Sequence, residues 1–465
     1  MKTSKIGKYA LTAAGLVSGF ALFGQDSTAV ADTAMAVVDS TAAVAAEVVE
    51  PIISFGNTAW MIVATALVML MTIPGLALFY GGLVRQKNVL NILMQCFILT
   101  AVISIEWVAF GYSLAFSPGN GFVGGFDWAF LSGINVLDVS PFYISQEHDR
   151  IPHLLFILFQ MMFAVITPAL IIGAFAERIK FGGFVVFSLL WAIFIYNPIC
   201  HWVWSPDGWL FQMGALDFAG GTVVHINAGI AALVTALMIG KRKYYKGHPF
   251  QPHNVPMVVM GAALLWFGWF GFNAGSGLAA DGLAASAFMA THIATAAAAV
   301  AWALLDWIIN KKPTVVGIAT GAVAGLVAIT PAAGFVDIYG ALAIGALVSV
   351  FAFIMVGIVK PKLGYDDSLD AFGVHGIGGI WGALATGLFA SPAIQSAYSG
   401  AFYGNPAQFK IQLIATVATI AYTAVGTFIL FKLTDLVFGV KATEEEETTG
   451  LDLTQHNEIA YTEAE

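Results

Sequence analysis

Long apolar runs alternate with short polar segments along most of the chain. Each run is long enough to cross the hydrocarbon core of a bilayer as a helix, which takes about 20 residues. A helix also satisfies the backbone hydrogen bonds of such a segment within lipid. The pattern therefore predicts an all-α polytopic membrane protein with eleven transmembrane helices, at residues 58–82, 89–115, 152–176, 181–203, 218–240, 256–275, 285–309, 314–332, 338–359, 371–391 and 410–437.

The first 54 residues follow a different pattern. Three lysines precede a short apolar core from Tyr9 to Gly24, and the small residues Ala29-Val30-Ala31 follow it. This order is typical of a secretory signal peptide. We expect residues 1–31 to be cleaved and residues 32–54 to form a periplasmic segment. A permanent twelfth helix is the alternative.

The basic residues of the loops set the expected orientation. They concentrate in alternate loops, at Arg85, Lys87, Arg178, Lys180, Lys241, Arg242, Lys243, Lys246, Lys311, Lys312, Lys360 and Lys362. Loops rich in Lys and Arg stay in the cytoplasm, so we expect the N-terminus outside and the C-terminus inside. The membrane domain then spans 55–438, and residues 439–465 form a cytoplasmic tail. We interpret its acidic run, Glu444–Glu447, as a solvated tether.

Composition narrows the class of protein. The chain is 59% hydrophobic and 10% charged, whereas soluble proteins carry about 25% charged residues, so a soluble fold is excluded. A net charge of −9 leaves no basic surface for nucleic acid. Cys96 and Cys200 both lie in apolar runs, which supports neither a disulfide framework nor a cysteine metal site. Without a nucleotide, metal or nucleophile motif we expect no enzyme, cofactor or metal.

Two similar stretches indicate an internal duplication. The fifth span begins with Asp217-Phe218-Ala219-Gly220-Gly221 and continues to Val224-His225. The tenth span reads Asp370-Ala371-Phe372-Gly373-Val374-His375. Five spans per half is an odd number, so the halves run in opposite directions. We predict a 5+5 inverted repeat plus one C-terminal helix, with the substrate path between the halves.

Histidines within the spans are candidates for chemistry. His225 and His375 occupy equivalent points of the two halves, so we expect them to meet near the pseudo-two-fold axis. There they could share a proton through a ring-to-ring hydrogen bond, since an imidazole relays protons near neutral pH. His292 has no counterpart, and we assign it a structural role.

Aromatic residues provide a second set of candidates. Any one of them could equally pack against lipid or belong to an interfacial belt. Together with a hydroxyl they suit a small cation, since each ring face attracts one with about 0.5–2 kcal/mol. A pair of Phe side chains would then close a narrow apolar throat. The residues are Trp269, Phe272, Asn273 and Ser276 along one face of the sixth span, Phe159, Gln160 and Phe163 in the third, and Trp204 at the end of the fourth.

The apolar character of the predicted throat indicates which cation it could accept. An apolar passage cannot replace the hydration shell of K⁺, for which channels use rings of backbone carbonyls. A bare charge at the bilayer centre is costly. Ammonium differs from K⁺ because it can leave its proton behind and cross as ammonia.

These residues resemble those of the ammonium transporter (Amt/Mep/Rh) family, of the bacterial Amt type. The similarity covers the chain after about residue 55. Its motifs are Met71-Thr72-Ile73-Pro74-Gly75, Leu78-Phe79-Tyr80-Gly81-Gly82-Leu83, Gly173-Ala174-Phe175-Ala176-Glu177-Arg178, Asp217 to Asn227, Gly268 to Ser276 and Phe372-Gly373-Val374-His375-Gly376.

The resemblance implies roles for particular residues. Trp204 and Ser276 would bind external NH₄⁺, and Phe163 and Phe272 would form the gate. Asp217 would support that site and orient the fifth helix, the alternative being a helix N-cap. The remaining expected pore residues are the twin histidines His225 and His375, together with Trp269, Tyr80, Phe79 and Phe159.

The resemblance also implies partners and a location. It implies a homotrimer in a bacterial inner membrane, each subunit having its own pore. A PII-type nitrogen regulatory protein would dock on the cytoplasmic face, where the tail residues Gly450-Leu451-Asp452, His456 and Asn457 fit its surface. The implied activity is electrogenic uptake, with NH₃ and H⁺ on separate routes. The alternatives are an electroneutral NH₃ channel and an ammonium sensor acting through a PII-type partner.

Three positions depart from the family pattern. His292 and Glu106 are ionisable residues within spans, where the family would have apolar side chains. Glu106 could make a polar contact, as at a subunit interface, or serve as an additional proton acceptor, and we favour a structural role. Leu369 occupies an inner-vestibule position that bacterial members often fill with Cys.

Overall fold

The computed structural model describes residues 50–245 and 250–461. The predicted signal peptide, residues 1–31, lies outside these ranges, as does most of the predicted segment 32–54. The chain from Pro51 onward forms one compact unit.

Within the described ranges, ten helices are long and apolar enough to cross a membrane. A shorter apolar helix, Val315–Ile329, coincides with the eighth predicted span. The predicted positions are thus confirmed, while the count of eleven spans stays a prediction. In chain order the helices are α1 (Phe55–Leu83), α2 (Gln86–Phe116), α3 (His153–Phe175), α4 (Phe181–Met213), α5 (Gly221–Ile239), α6 (Val255–Gly275), α7 (Gly282–Asn310), α8 (Val315–Ile329), α9 (Ile338–Leu363), α10 (Phe372–Phe389) and α11 (Pro406–Phe438).

Polar residues at the span boundaries fix where several helices begin. Each accepts a hydrogen bond from a backbone N–H of the first turn, which would otherwise have no partner in the helix. These N-caps are Ser54 for α1, Asn254 for α6, Asp281 for α7, Thr314 for α8 and Asp337 for α9. Strand structure is slight. The strands β1 (Ile52–Ile53) and β2 (Asp149–Arg150) pair in parallel, with Ile52 opposite Asp149.

The crossing of α5 and α10 carries the symmetry of the fold. A Cβ atom on Gly229 would lie 2.2 Å from the backbone nitrogen of Gly376, and one on Gly379 would lie 2.8 Å from that of Ile226. Residues 226 and 229 therefore exchange places with 376 and 379, as a pseudo-two-fold axis requires. Glycine is needed at both crossings because the backbones touch. The predicted inverted repeat is confirmed in this pair of helices.

The register of the repeat differs from the prediction. The counterpart of Asp217 is Asp367, since each lies eight residues before a pore histidine. Asp217 accepts four backbone N–H groups at the start of α5, and Asp367 accepts those of Ala371 and Phe372 at the start of α10. Matching Asp217 to Asp370 was therefore wrong.

Asp370 has a different role. It takes the position of Gly220, because both residues adopt a left-handed backbone, with φ of 60° and 111°. The Asp370 carboxylate pairs with Lys360 at 2.5 Å. The sequence match was misleading because an Asp replaces a Gly at this turn.

The tail is docked on the bundle rather than tethered in solvent. It forms two short helices, α12 (Glu444–Thr449) and α13 (Leu451–His456). The Glu447 carboxylate is buried and accepts the backbone N–H of Lys243 at 2.9 Å. Asp452 accepts the N–H groups of Leu90 and Asn91 at the start of α2. The tether interpretation was wrong for Glu447, whose carboxylate accepts a backbone N–H of the bundle, whereas Glu444 and Glu445 are exposed. We call this end of the bundle the tail face.

Candidate functional site

A cavity of about 400 Å³ opens at the end of the bundle opposite the tail face. It brings together four of the predicted substrate-binding residues, which come from α3, α4, the loop before α5 and the end of α6. We call this cavity the vestibule. These four residues are Phe163, Trp204, Asp217 and Ser276.

Trp204 and Ser276 offer complementary groups to the vestibule. The indole Nε1 of Trp204 donates to the backbone carbonyl of Asp217 at 2.9 Å, which fixes the ring. Its ring meets that of Phe163 edge-on, with centroids 5.6 Å apart. The Ser276 hydroxyl donates to the carbonyl of Phe272 at 2.8 Å. Because a hydroxyl donates only one proton, the Ser276 oxygen keeps lone pairs to accept an N–H.

Asp217 acts as a helix cap. Its two carboxylate oxygens accept N–H groups from Gly220, Gly221, Thr222 and Val223 at 2.6–3.0 Å. Such a carboxylate anchors the first turn of α5 and complements its dipole. Both carboxylate oxygens are engaged in this cap, as expected of a residue that orients the fifth helix. Its contribution to the site is the carbonyl that holds Trp204.

Two phenylalanine rings close the floor of the vestibule. Phe163 and Phe272 lie with their centroids 4.2 Å apart, and both are fully buried. Phe163 lines the vestibule, whereas Phe272 lines the next cavity. Phe159 supports this pair from behind, 5.0 Å from Phe163 and against Gly275. The throat is therefore formed by Phe163 with Phe272, and the expectation that Phe159 lines it was wrong.

Beyond the rings lies a cavity of about 10 Å³, which we call the histidine cavity. This is room for about one water-sized molecule. Aliphatic and aromatic side chains form its wall, and the imidazoles are its polar groups. The lining residues are Met71, Leu76, Phe79, Ile166, Leu170, Val224, His225, Leu265, Trp269, Phe272, Val323 and His375.

The two histidines lie side by side in this cavity. Their rings are nearly parallel, with centroids 5.4 Å apart and an interplanar angle of 17°. Among the described residues, neither ring nitrogen of His225 meets a hydrogen-bond partner. The predicted ring-to-ring hydrogen bond is therefore not formed between these two rings in the structure. Because no protein group of the described chain bonds to these nitrogens, they can form hydrogen bonds with a molecule in the cavity.

Trp269 and Phe79 complete the predicted wall, whereas Tyr80 does not. The Trp269 ring stacks 5.4 Å from His225, and its Nε1 donates to the hydroxyl of Thr330. The Tyr80 hydroxyl donates to the carbonyl of Leu170 at 3.1 Å, so it ties α1 to α3. Asn273 is also turned from the path, because it donates to Thr291 of α7.

Sequence reasoning missed the aliphatic wall of the histidine cavity. Met71, Leu76, Ile166, Leu170 and Val323 line it. In a chain of apolar spans these residues carry no distinguishing signal. Their position on the path becomes visible only when the helices are packed.

The three departures from the family pattern lie outside both cavities. Glu106 is 3% exposed and accepts Asn197 Nδ2 at 2.8 Å. Because this single chain already buries it, the subunit-interface alternative was wrong. His292 is exposed on α7, beside the rings of Trp266 and Phe270. Leu369 is half-buried, and its N–H donates to the carbonyl of Gly173.

Buried ion pairs hold the tail face together. Arg242 lies between Glu177 and Asp366, with contacts of 3.0 and 2.8 Å, and Arg85 also pairs with Glu177. Burial acts to raise the pKa of Glu177, but Arg242 and Arg85 outweigh it and hold that pKa below its ordinary value. The pKa of Asp366 is likewise lowered, since its bonds to Arg242 and the charge of Arg178 outweigh the effect of burial.

The tail motif is part of the same structure. Gly450 has φ +114° and packs against Lys87, so a side chain there would clash. Leu451 and Asp452 are buried, and His456 lies 2.9 Å from Asn91 Nδ2. The expectation that this motif faces a regulatory protein was wrong for its buried residues, which contact α2.

Antiparallel halves around a narrow apolar path define a membrane transporter or channel for a small solute. A model of the Ammonium Transporter Family matches residues 59–461. The chain belongs to this family, which is a family of membrane transporters.

Relatives and solved structures agree with the assignment. An ammonium transporter of Bacillus subtilis (strain 168) is 52% identical over 407 residues, covering 87% of this chain and 98% of the relative. Ammonium transporter Amt1 of Archaeoglobus fulgidus is 45% identical over 411 residues, covering 88% and 100%. The crystal structure of Candida albicans Mep2 matches with a TM-score of 0.79 and 34% identity, covering 88% of this chain and 90% of that chain. A structure titled Sensor Amt Protein matches at TM-score 0.78 and 29% identity, covering 86% and 98%.

Proposed function

We propose that this chain takes up ammonium by binding NH₄⁺ in the vestibule, removing its proton and conducting NH₃ through the histidine cavity. One observation carries the proposal. The rings of Phe163 and Phe272 separate a vestibule with cation-binding groups from an apolar cavity with two imidazoles.

Recognition of the cation rests on Trp204 and Ser276. The indole face attracts a cation, with about 0.5–2 kcal/mol depending on desolvation. The Ser276 oxygen accepts an N–H of the same ion, because its own proton is directed to Phe272. The carbonyl of Asp217 keeps the indole in place.

Selection against K⁺ occurs at the phenylalanine pair. A cavity of about 10 Å³ has no room for a hydrated ion. Charge is costly at this depth, and the apolar wall supplies no ring of carbonyls to compensate. NH₄⁺ passes because it becomes neutral, whereas K⁺ cannot.

The proton follows a separate route through His225 and His375. Imidazoles exchange protons readily, and the nitrogens of His225 have no partner among the described residues. Because these nitrogens face no protein partner in the described part of the chain, the proton passes between the two rings by way of the molecule that occupies the cavity. Uptake is then electrogenic, one charge crossing with each NH₃ and H⁺.

Orientation and assembly complete the proposal. The tail face carries the basic loops and is cytoplasmic, so the vestibule is external to a bacterial inner membrane. A homotrimer would cover the outward groove beside His292, which Trp60, Phe270 and Phe288 also line, and would shield that imidazole from lipid. A PII-type partner would meet the exposed side of the tail, where Leu453 is 45% exposed.

Current recordings test the central activity. Pulses of ammonium onto proteoliposomes should give a saturable inward current, and W204A should lower the apparent affinity. Ammonia flux without current would identify the electroneutral channel instead. Tyr422, whose ring is tilted by 54° against that of Trp202 on the opposite side of α4, provides a control as Y422F.

The second candidate is an ammonium sensor. The likeness to the solved Sensor Amt Protein favours it. Expression in a host that lacks ammonium transporters separates the two, because only a transporter restores growth on limiting ammonium.

A further inference from the structure

Glu106 differs from every other buried carboxylate of the described residues. Eight such groups are buried. The Oε2 atom of Glu106 is the one carboxylate oxygen among them that is buried without a hydrogen-bond partner. Burying an ionised carboxylate in a membrane protein is costly unless donors or counter-ions compensate its charge.

Asp306 illustrates how the chain treats a buried ionised carboxylate. Its Oδ1 accepts Asn310 Nδ2 at 3.0 Å, and its Oδ2 accepts the N–H and the hydroxyl of Thr314. Asp217 has four N–H donors, and Glu177 has two arginines. Glu106 has one donor, Asn197 Nδ2.

The surroundings of Glu106 supply uncharged polar groups rather than charge. Asn197 Oδ1 and the hydroxyl of the adjacent Tyr196 are buried and without partners among the described residues. Glu106 belongs to none of the ion pairs that those residues form. The other titratable groups on α2 and on the helices packed against it are Lys87, Cys96 and Tyr112 on α2, Tyr80 on α1, His153 on α3, Tyr196, Cys200, His201 and Asp207 on α4, and Asp452 and His456 on α13.

The two nearest histidines are engaged elsewhere. His153 lies 2.5 Å from the Tyr112 hydroxyl, and the nitrogens of His201 face the carbonyls of Ala115 and Asn120. Neither pairs with Glu106. The carboxyl group therefore has neutral neighbours and no charged partner among the described residues, and burial without such a partner favours the neutral acid over the carboxylate.

Local backbone geometry is fitted to this carboxyl group. A Cβ atom on Gly111 would lie 2.6 Å from Oε2, so glycine leaves the space that the group occupies. A π-helical turn follows Glu106 at Trp107–Gly111, and another precedes Asn197 at Ala192–Tyr196. Such turns frequently occur at functional sites. They bring Glu106 and Asn197 face to face across α2 and α4.

We propose that Glu106 is a proton-binding site outside the conduction path, where the carboxyl group holds a proton while α2 and α4 are packed together. The bound ligand is H⁺, and the reaction is protonation of the carboxylate without a further reactant. The neutral acid takes the Asn197 amide donor on Oε1. Its own proton sits on Oε2, the oxygen that has no donor among the described residues.

Infrared spectroscopy of the whole transporter in lipid tests the proposal. The wild type should show the C=O band of a protonated carboxylic acid at neutral pH, and E106Q should lack it. N197L should shift the band to higher frequency, because it removes the hydrogen bond to Oε1. D306N, which removes an equally buried but fully bonded carboxylate, should leave the band unchanged.

Transport assays and titration with metal ions provide the results that would contradict the proposal. E106Q should transport ammonium like the wild type, because an amide mimics the neutral acid. An unchanged acid band in E106Q would overturn the proposal. So would a carboxylate band of Glu106 that responds to added Na⁺ or K⁺, which would identify a metal-cation site. Loss of transport in a folded E106Q protein would show that the charged form is the working one.

Discussion

The ring of Phe272 lies 4.2 Å from the ring of Phe163 and 6.2 Å from that of His225. One side chain thus joins the closed floor of the vestibule to the wall of the histidine cavity. In the proposed mechanism, NH₄⁺ therefore loses its proton at the same place where it leaves the vestibule and enters the histidine cavity as NH₃.

The gate can be tested by shortening Phe272. F272A should let hydrated ions reach the imidazoles, because it removes one of the two rings that close the passage. We expect measurable K⁺ flux, at least tenfold above the wild type, in proteoliposomes. F270A is the matched control, since Phe270 stacks on Phe288 away from the path. Equal K⁺ exclusion by F272A and F270A would count against the gate.

The histidine pair can be tested by changing its charge. H225D and H375E should relax selectivity toward K⁺, because a fixed negative charge in the cavity stabilises a cation that keeps its charge. Competition between K⁺ and ammonium in current recordings measures this change. H292Q, on the outer face of the bundle, should behave like the wild type. Intact K⁺ exclusion in H225D and H375E would argue against the proton relay.

The helix crossing at the pseudo-two-fold axis should be intolerant of any side chain. G229A should destabilise the protein by about 1–3 kcal/mol, because its methyl group would overlap the backbone of Gly376. Thermal unfolding in detergent measures the loss. G56A serves as control, since a Cβ there has open space. Equal melting temperatures for G229A and G56A would show that the close crossing does not exist in solution.

The ion pairs of the tail face predict a pH dependence of stability. The folded pKa values of Glu177 and Asp366 are lowered. Their contribution is therefore present above the unfolded values, about 4.3 and 3.9, and is lost as the pH falls through the folded ones. R242Q should cost about 3–5 kcal/mol near neutral pH, because it removes the ion-pair partner of Asp366 and one of the two arginines that pair with Glu177.

The difference in stability between the wild type and R242Q should become smaller as the pH falls below about 4. Melting temperatures measured across that range give the comparison. K311Q provides the control, because Lys311 is exposed and its ammonium group meets a backbone carbonyl. A gap that stays constant with pH would mean that Arg242 does not act through these carboxylates.

The parts of the fold that depend only on the lengths of the apolar runs were predictable from the sequence. The positions of the spans follow from hydrophobic lengths, and the antiparallel halves follow from an odd number of helices. The register of the repeat was not predictable, because Asp370 occupies the turn position of Gly220 and imitates the capping residue. Only the hydrogen bonds of Asp367 reveal the true counterpart.

The site was predictable where polar or aromatic residues stand out among apolar ones. Trp204, Ser276, Phe163, Phe272, His225 and His375 are brought to the two cavities. Tyr80 and Phe159 were misplaced because side-chain direction depends on packing between helices. The tail was misjudged because acidic composition does not reveal the backbone donors of Lys243, Leu90 and Asn91.

The most direct measurement compares ammonium and potassium pulses at equal concentration on the same proteoliposomes. An ammonium pulse should produce a saturable current and a potassium pulse none, since only ammonium can shed its charge at Phe163 and Phe272. A potassium current of similar size would contradict the account.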